Sequence, residues 1–257
     1  MEFDLPVDIL IRGSIDPIAD IVDDTYPSLF DHVGDGAYFQ DRAILAPTND
    51  VVQEINDYVM SKLPGDVTEY MSSDSICPDE GDTVDRDNVY SVEHLNTIRA
   101  SGLPNHLIRL KVGCPIMLLR NIDQPAELCN GTRLIVTKLT PHIIEAQMMS
   151  GKNAGSRVYI PRMLLSPSDI TKFPIRFQRR QFPIAVSYAM TINKSQGQSL
   201  ARVGLYLPKP VFSHGQLYVA FSRVTSKKGL KVLALDEEGL PIDKTTNVVY
   251  KEVICSL

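Results

Sequence analysis

Residues 191–199 combine side chains that bind anions. The segment reads Thr-Ile-Asn-Lys-Ser-Gln-Gly-Gln-Ser and places hydroxyl and amide groups around one lysine. Short donors beside a glycine allow the backbone to approach a phosphate closely. The pattern therefore predicts a loop that contacts phosphates, and the alternative is a polar turn that only connects two elements.

Residues 213–223 predict a short amphipathic helix with a second pair of ligand-binding side chains. Ser213 and Gln216 fit a capping box, and the apolar residues that follow recur at helical spacing. Gln216 and Arg223 are seven residues apart, two turns along one flank, so both can meet one ligand. The alternative for Arg223 is a cation that stabilises the dipole at the carboxyl end of the helix.

Basic and aromatic residues alternate in the region that precedes both segments. The members are Arg157, Arg162, Lys172, Arg176, Arg179 and Arg180, with Tyr159, Phe173, Phe177 and Phe182 among them. Phosphate contacts combined with base stacking are typical of single-stranded DNA binding. The alternative is a solvated basic face above aromatic core residues.

The charge distribution favours a nucleic-acid partner, although the 257 residues carry a formal net charge of −5. Residues 1–90 hold 21 acidic and 4 basic residues, whereas residues 91–257 hold 10 acidic and 22 basic residues. The alternative is that the acidic part folds back and neutralises the basic part. No apolar run approaches the ~18 residues of a membrane span, so we expect no membrane partner. The four cysteines lack metal-ligand spacing, which predicts no metal site.

The hydrophobic pattern predicts an α/β fold that begins with a strand–turn–helix unit. Residues 43–46 form a short apolar run, and a helical apolar stripe follows from Val51 to Val59. Asp50, with Gln53 three residues later, predicts the N-cap of this helix. Such a unit is typical of a parallel sheet.

A β-rich insertion interrupts this α/β pattern. Residues 66–107 predict a loop, and four strand-like runs within residues 108–165 predict a small barrel. The parent domain resumes at Lys172, with strands predicted at Ile184, Val203 and Leu230.

The motifs of residues 182–231, in their order, resemble the last two motifs of a superfamily 1 DNA helicase. The family they resemble is the petite-integration-frequency (Pif-type) family of RecD-like helicases. The resemblance implies a RecA-like second motor domain at residues 41–75 and 172–257. It also implies an insertion at 76–171, whose barrel resembles a Src-homology-3 fold, and a segment at 1–40 that connects to a missing first motor domain.

The resemblance also implies roles for individual residues. Arg223 corresponds to the catalytic arginine finger, with Gln216 beside it, and Asn193 stands where these helicases usually carry histidine. Asn49 lies at the position of the fourth motif, for which helix capping is the alternative. The implied nucleotide-binding residues are Gly197, Gln196, Arg223 and Asn49. The implied DNA-binding residues are Thr191, Asn193, Lys194 and Ser195, and the basic run described above adds Arg176, Arg179 and Arg180 as predicted DNA contacts.

The implied activity is that of the C-terminal part of a 5′-to-3′ ATP-dependent DNA helicase. The 257 residues contain no G-x-x-x-x-G-K-[ST] P-loop, and the resemblance implies that the magnesium carboxylates also belong to the missing half. We therefore expect ATP and Mg²⁺ to bind only when the N-terminal motor half is supplied in cis or in trans, and we expect negligible activity without it. The alternatives are a non-catalytic nucleic-acid-binding or regulatory module, and a relic with no separate role.

The partners that the resemblance implies are single-stranded DNA and the missing N-terminal half. The implied processes are DNA repair, DNA recombination and telomere maintenance. The implied compartment is the nucleus, with the mitochondrion as the alternative.

Overall fold

The structure is a computed structural model that describes residues 2–12, 15–77, 91–167 and 176–248. The chain divides into two compact units, with Met1–Pro64 and Ser187–Leu257 in unit 1 and Gly65–Val186 in unit 2. Lys172, Phe173 and Cys255, which enter the sequence predictions, lie outside the described residues.

Unit 1 contains seven of the described strands and four of the described α-helices. The strands are β1 Glu2–Asp4, β2 Arg42–Ala46, β13 Ala189–Thr191, β14 Arg202–Leu207, β15 Leu230–Leu235, β16 Pro241–Ile242 and β17 Lys244–Thr246. The helices are α1 Pro17–Thr25, α2 Gly36–Gln40, α3 Asn49–Lys62 and α5 Gln216–Phe221.

The centre of unit 1 is a five-stranded sheet with the order β13-β2-β14-β15-β16. The first four strands are parallel, and β16 is antiparallel to β15. Leu45, Leu205 and Leu233 are fully buried, as expected for parallel strands that are covered on both faces. The predicted strand–turn–helix unit is confirmed as β2 and α3, and the strands predicted at Val203 and Leu230 are confirmed as β14 and β15.

Helix α1 packs on the sheet and is part of the core of unit 1. It contacts β2, β14 and β15, and Ile21 is fully buried. The approach is so close that a Cβ added at Gly204 would overlap Thr25 Oγ1. Residues 1–40 are therefore more than the connecting segment that the sequence predicts, because their apolar face completes the layer over the sheet.

Helix α3 is capped two residues earlier than the sequence predicts. The N-cap is Thr48, whose Oγ1 accepts a hydrogen bond from the Val51 N–H at 3.5 Å. Asp50, the predicted N-cap, instead lies inside the first helical turn. There its negative charge interacts favourably with the positive end of the helix dipole.

Unit 2 is built from antiparallel pairs. Its strands are β3 Thr68–Met71, β4 Ser73–Ile76, β5 Leu107–Leu110, β6 Pro115–Leu118, β7 Arg133–Leu139, β8 Ile143–Met148, β9 Arg157–Pro161, β10 Met163–Leu165, β11 Phe177–Gln181 and β12 Ile184–Val186. Helix α4 spans Val92–Thr97. The sheets have the orders β12-β6-β7-β8-β9, β10-β11-β4 and β3-β5.

Two sequence expectations differ from this arrangement. Residues 66–107 are not a plain loop, since they contain β3, β4 and α4. The strand at Ile184 pairs antiparallel with β6 and belongs to unit 2, not to the parallel sheet. The compact units consequently change at 64/65 and 186/187, whereas the predicted domains change at 75/76 and 171/172.

Candidate nucleic-acid interface

The segment 191–198 begins where β13 ends, at the carboxyl edge of the parallel sheet in unit 1. Thr191 is the last residue of β13, and a 3-10 helix covers Ile192–Ser195. Ser195 is fully buried, and its Oγ donates to the Ile192 carbonyl at 2.7 Å. Gly197 has a φ of +84°, in the region that favours glycine, and has open space around it. Ser195 therefore shapes the loop, while exposed Asn193 and Gln196 lie at its surface.

Lys194 carries the charge of this segment. Among the residues that the structure describes, its ammonium has no hydrogen-bond or ion-pair partner. Partial burial lowers the pKa of Lys194 below its ordinary value of 10.5, because desolvation penalises the charged form. An anion that replaces the lost water would be bound more strongly than at a fully solvated lysine.

Gln216 joins α5 to the turn between β2 and α3. Its Nε2 donates to the Pro47 carbonyl at 3.4 Å, and its Oε1 accepts from the Phe212 N–H at 3.3 Å. The side chain is almost fully buried. In this conformation Gln216 positions two loops and does not present its amide to a ligand.

The predicted helix 213–223 is shorter in the structure. It spans Gln216–Phe221, and its N-cap is Gly215, which has a left-handed φ of +71°. Ser213 is not the N-cap that the sequence predicts, because no side chain makes a capping hydrogen bond to α5. The glycine allows a sharp entry into the helix that a residue with a Cβ would strain.

Arg223 follows the end of α5 and holds the segment 191–198. Its Nη1 donates to the carbonyls of Gln198 at 3.1 Å and Ser195 at 3.5 Å. Its Nε donates to the Val219 carbonyl in the last turn of α5 at 3.0 Å, which fits the helix-end alternative. Arg223 thus links α5 to the loop that carries Lys194.

The structure therefore connects the polar positions of unit 1 through α5. Gln216 reaches the turn that precedes Asn49, and Arg223 reaches the loop after β13. Asn49 itself is exposed at the start of α3. The loops that follow β2 and β13 lie at the carboxyl edge of the parallel sheet, where open α/β sheets bind ligands.

Arg179 does not fit its predicted DNA-binding role. It is fully buried in unit 2, and its Nη2 lies 2.6 Å from Oδ2 of Asp74, which is itself buried. Its remaining N–H groups donate to the backbone carbonyls of Leu95, Ile98 and Pro104. No donor of this arginine is left for a phosphate.

Two of the predicted stacking residues are also core residues. Phe177 and Phe182 are buried, and Phe177 packs with Leu95, Leu103 and Leu165. Arg176 and Arg180, by contrast, are exposed and keep their predicted positions at the surface. The basic run is therefore divided between surface and core, because alternate residues of β11 point to opposite faces.

Asp74 is the residue that sequence reasoning misses. It is the buried position of β4, between exposed Ser73 and Ser75. A single carboxylate at the inward position of an otherwise small and polar strand is the signal that could have indicated a buried counterion for Arg179.

Two kinds of feature are absent from the described ranges. None of their helices is long and apolar enough to cross a membrane. None of their side-chain groups combines three metal-ligating residues.

Comparison with known proteins finds similarity to DNA helicases. Residues 93–139 match the family described as DNA helicase Pif1, 2B domain. The ATP-dependent DNA helicase PIF1 of Danio rerio is 29% identical over 218 residues, which are 81% of this chain and 30% of that protein. The Pif1 helicase of Bdellovibrio bacteriovorus is 34% identical over 163 residues, 63% of this chain and 35% of that protein.

This chain is related to the Pif1-type DNA helicases. It spans about a third of the length of these curated relatives. The relationship supports a helicase-related role.

Solved Pif1 structures share the fold. The Pif1 helicase from Bacteroides in complex with ADP-AlF3 and ssDNA aligns with a TM-score of 0.59 and 19% identity, over 96% of this chain and 54% of that chain. Pif1 helicase from Candida albicans aligns with a TM-score of 0.57 and 23% identity, over 94% of this chain and 56% of that chain. The mixed α/β fold with a parallel sheet is thus the fold of the matching part of Pif1 helicases.

Proposed function

We propose that the chain supplies the second RecA-like motor domain of a Pif1-type, 5′-to-3′ ATP-dependent helicase. The observation that carries the proposal is the Arg223 side chain, which ties α5 to the loop that holds Lys194. An arginine in this position can couple a change at a bound nucleotide to a change in the loop that is proposed to contact DNA. The whole helicase activity requires a P-loop that these 257 residues do not contain.

The DNA contact in this proposal is the loop after β13. Lys194 offers a partly desolvated charge, and Thr191 and Asn193 offer neutral donors on either side. Ser195 contributes by holding the loop conformation through its bond to Ile192. Arg176 and Arg180, both exposed in unit 2, are proposed as further phosphate contacts. A Pif1 relative crystallised with ssDNA supports this choice of ligand.

The nucleotide contact in this proposal is Arg223, acting as an arginine finger toward ATP and Mg²⁺ held by the P-loop half. The finger must release the Ser195 and Gln198 carbonyls, and those bonds, at 3.5 and 3.1 Å, are long for a guanidinium. Gln196, Gly197 and Asn49 are proposed to lie on the nucleotide side, with Gln216 holding the adjacent turn.

The test is ATP turnover in the presence of single-stranded DNA. The chain is assayed alone and mixed with a P-loop-bearing first motor domain of a Pif1-type helicase. We expect no turnover alone, DNA-stimulated turnover in the mixture, and a loss of ~10³–10⁵-fold with Arg223→Ala. Arg12→Ala, an exposed arginine of the same unit, is the matched control and should leave turnover unchanged.

Two results would change the proposal. Turnover by the chain alone, or full activity of the Arg223→Ala mixture, would contradict the role of the finger. Single-stranded DNA binding without turnover in any mixture would instead support the non-catalytic nucleic-acid-binding module.

The five-stranded antiparallel sheet of unit 2 is proposed to be the inserted barrel of Src-homology-3 type. The match of residues 93–139 to the Pif1 2B domain, which includes β6 and β7, supports this assignment. The proposed compartment is the nucleus or the mitochondrion, because both hold DNA, and fractionation of cells that express the tagged protein would decide between them.

A further inference from the structure

Unit 2 contains a cleft that the proposed function does not use. Its volume is about 270 Å³, and it is open to solvent on one side. Strand β3, the end of β7 and the turn before β10 form its walls. The residues that line the cleft include Glu69, Tyr70, Leu139, Thr140, Pro141 and Arg162.

The guanidinium of Arg162 is held rigidly in this cleft. Its Nη1 donates to the Met71 carbonyl at 2.7 Å and to Gln181 Oε1 at 3.0 Å. Its Cζ lies 4.8 Å from the centre of the Phe182 ring and 5.8 Å from the centre of the Tyr70 ring. Two hydrogen bonds and two cation–π contacts fix the orientation before any ligand arrives.

The opposite edge of the same guanidinium is available to bind a ligand. Within the described ranges, Nε and Nη2 of Arg162 have no hydrogen-bond partner. These two N–H groups form the edge that binds a phosphate or carboxylate in a bidentate manner. Partial burial also lowers the pKa of Arg162 by desolvation, which indicates that the charge has lost part of its water.

The cleft keeps a positive charge although one acid lies in its wall. Glu69 Oε1 accepts a hydrogen bond from Arg109 Nε at 2.8 Å, so this carboxylate already has a counterion. Arg180 is close enough to act electrostatically on Arg162 and adds a second cation. An anion is therefore the ligand that the charges favour.

The remaining walls suit an aromatic or sugar group. Leu139 and Pro141 present apolar surface, and the buried Tyr70 supports this wall by donating its hydroxyl to the Thr140 carbonyl at 3.0 Å. A volume of about 270 Å³ is slightly below the ~300–1,000 Å³ of drug-sized pockets. It accommodates one phosphate with its sugar or base.

We propose that this cleft binds one nucleotide of a single DNA strand, with the phosphate on Arg162 and the sugar or base against Leu139 and Pro141. The proposal rests on the proposed function only in the choice of single-stranded DNA as the ligand. It adds a site in unit 2 that acts separately from the Lys194 loop in unit 1.

The test is binding of a labelled oligothymidylate by fluorescence anisotropy across a salt series. Arg162→Gln should weaken binding about tenfold and lower the salt slope by about 0.7, the value for one phosphate on a single strand. Lys152→Gln is the matched control, because Lys152 is an exposed cation of unit 2 that does not line the cleft. It should leave affinity and slope nearly unchanged.

A direct readout separates binding from folding. In ¹H–¹⁵N spectra of arginine Nε–H groups, the Arg162 signal is assigned by its loss in Arg162→Lys, and the other signals report whether unit 2 stays folded. Titration with the oligothymidylate should shift the Arg162 signal. Thymidine monophosphate is the second ligand, and it tests whether a free nucleotide is the true occupant.

Each outcome has a defined meaning. Equal losses for Arg162→Gln and Lys152→Gln, or no loss for either, would overturn the cleft site in favour of diffuse charge. A signal shift with thymidine monophosphate but not with the oligonucleotide would overturn the strand assignment. If Lys194→Ala weakens binding and Arg162→Gln does not, the cleft proposal fails while the proposed function stands, and if neither weakens binding both fail.

Discussion

The loop 191–198 in unit 1 and strand β11 in unit 2 differ in what surrounds their cations. Lys194 is partly desolvated and has no counterion within the described residues. Arg179 of β11 is fully buried and shares its donors between one carboxylate and three backbone carbonyls. Lys194 is available to bind an anion, whereas every donor of Arg179 makes a hydrogen bond within the fold.

The difference shows that a formally charged side chain is not always available to bind a ligand. Arg179 organises unit 2, since its carbonyl partners lie in and after α4 and its carboxylate partner lies in β4. Losing one partner of such a pair leaves an unpaired charge in a medium of low polarity. Losing Lys194, by contrast, removes a proposed ligand contact and no ammonium hydrogen bond within the described residues.

The largest expected effect follows from removing Arg179. Arg179→Ala leaves Asp74 buried and unpaired, so we expect unit 2 to lose about 3–5 kcal/mol in its free energy of unfolding. Urea denaturation measures the loss, and Arg180→Ala on the same strand should stay within about 0.5 kcal/mol. An Arg179→Ala protein of normal stability with weak DNA binding would break the comparison.

Replacing both partners sharpens the same point. Asp74→Leu with Arg179→Met removes both charges, so the double variant should be more stable than Arg179→Ala by about 1–2 kcal/mol. It should stay below the wild type, because the carbonyls of Leu95, Ile98 and Pro104 lose their donor. Urea curves of the wild type, Asp74→Leu, Arg179→Met and the double variant form a double-mutant cycle, and strict additivity would argue against a coupled pair.

A smaller effect is expected at Lys194, and it concerns binding. Lys194→Ala should weaken single-stranded DNA binding about tenfold at low salt while leaving the thermal midpoint unchanged. Lys62→Ala at the far end of α3 is the matched control. Anisotropy and thermal unfolding on the same samples test this. A large drop in the thermal midpoint would mean that Lys194, like Arg179, serves the fold.

The smallest effect is a dependence on pH. The pKa of Lys194 is lowered by desolvation, so its contribution to DNA binding is complete below that pKa and is lost as pH rises through it. The loss should begin at a lower pH than for an ordinary lysine with a pKa of 10.5. Lys194→Arg, which keeps its charge, should retain binding to higher pH. Identical pH curves for both proteins would remove Lys194 from the binding site.

The sequence by itself determined the fold class of unit 1 and indicated the relationship to Pif1-type helicases. Buried strands such as β2 and β14 are continuous apolar runs, and α3 has a 3.6-residue apolar period, so local pattern and structure agree. Each of the motifs at 191–199 and 213–223 consists of consecutive residues, and consecutive residues stay together in any fold.

Only the tertiary structure decided which charges and rings are accessible. Asp74 and Arg179 are 105 residues apart and meet because β4 pairs with β11. The cleft at Arg162 likewise joins β3, the end of β7 and the turn before β10, which no local pattern connects. Burial depends on such long-range pairing, so spacing along the chain can nominate a cation but cannot show whether its charge is already neutralised.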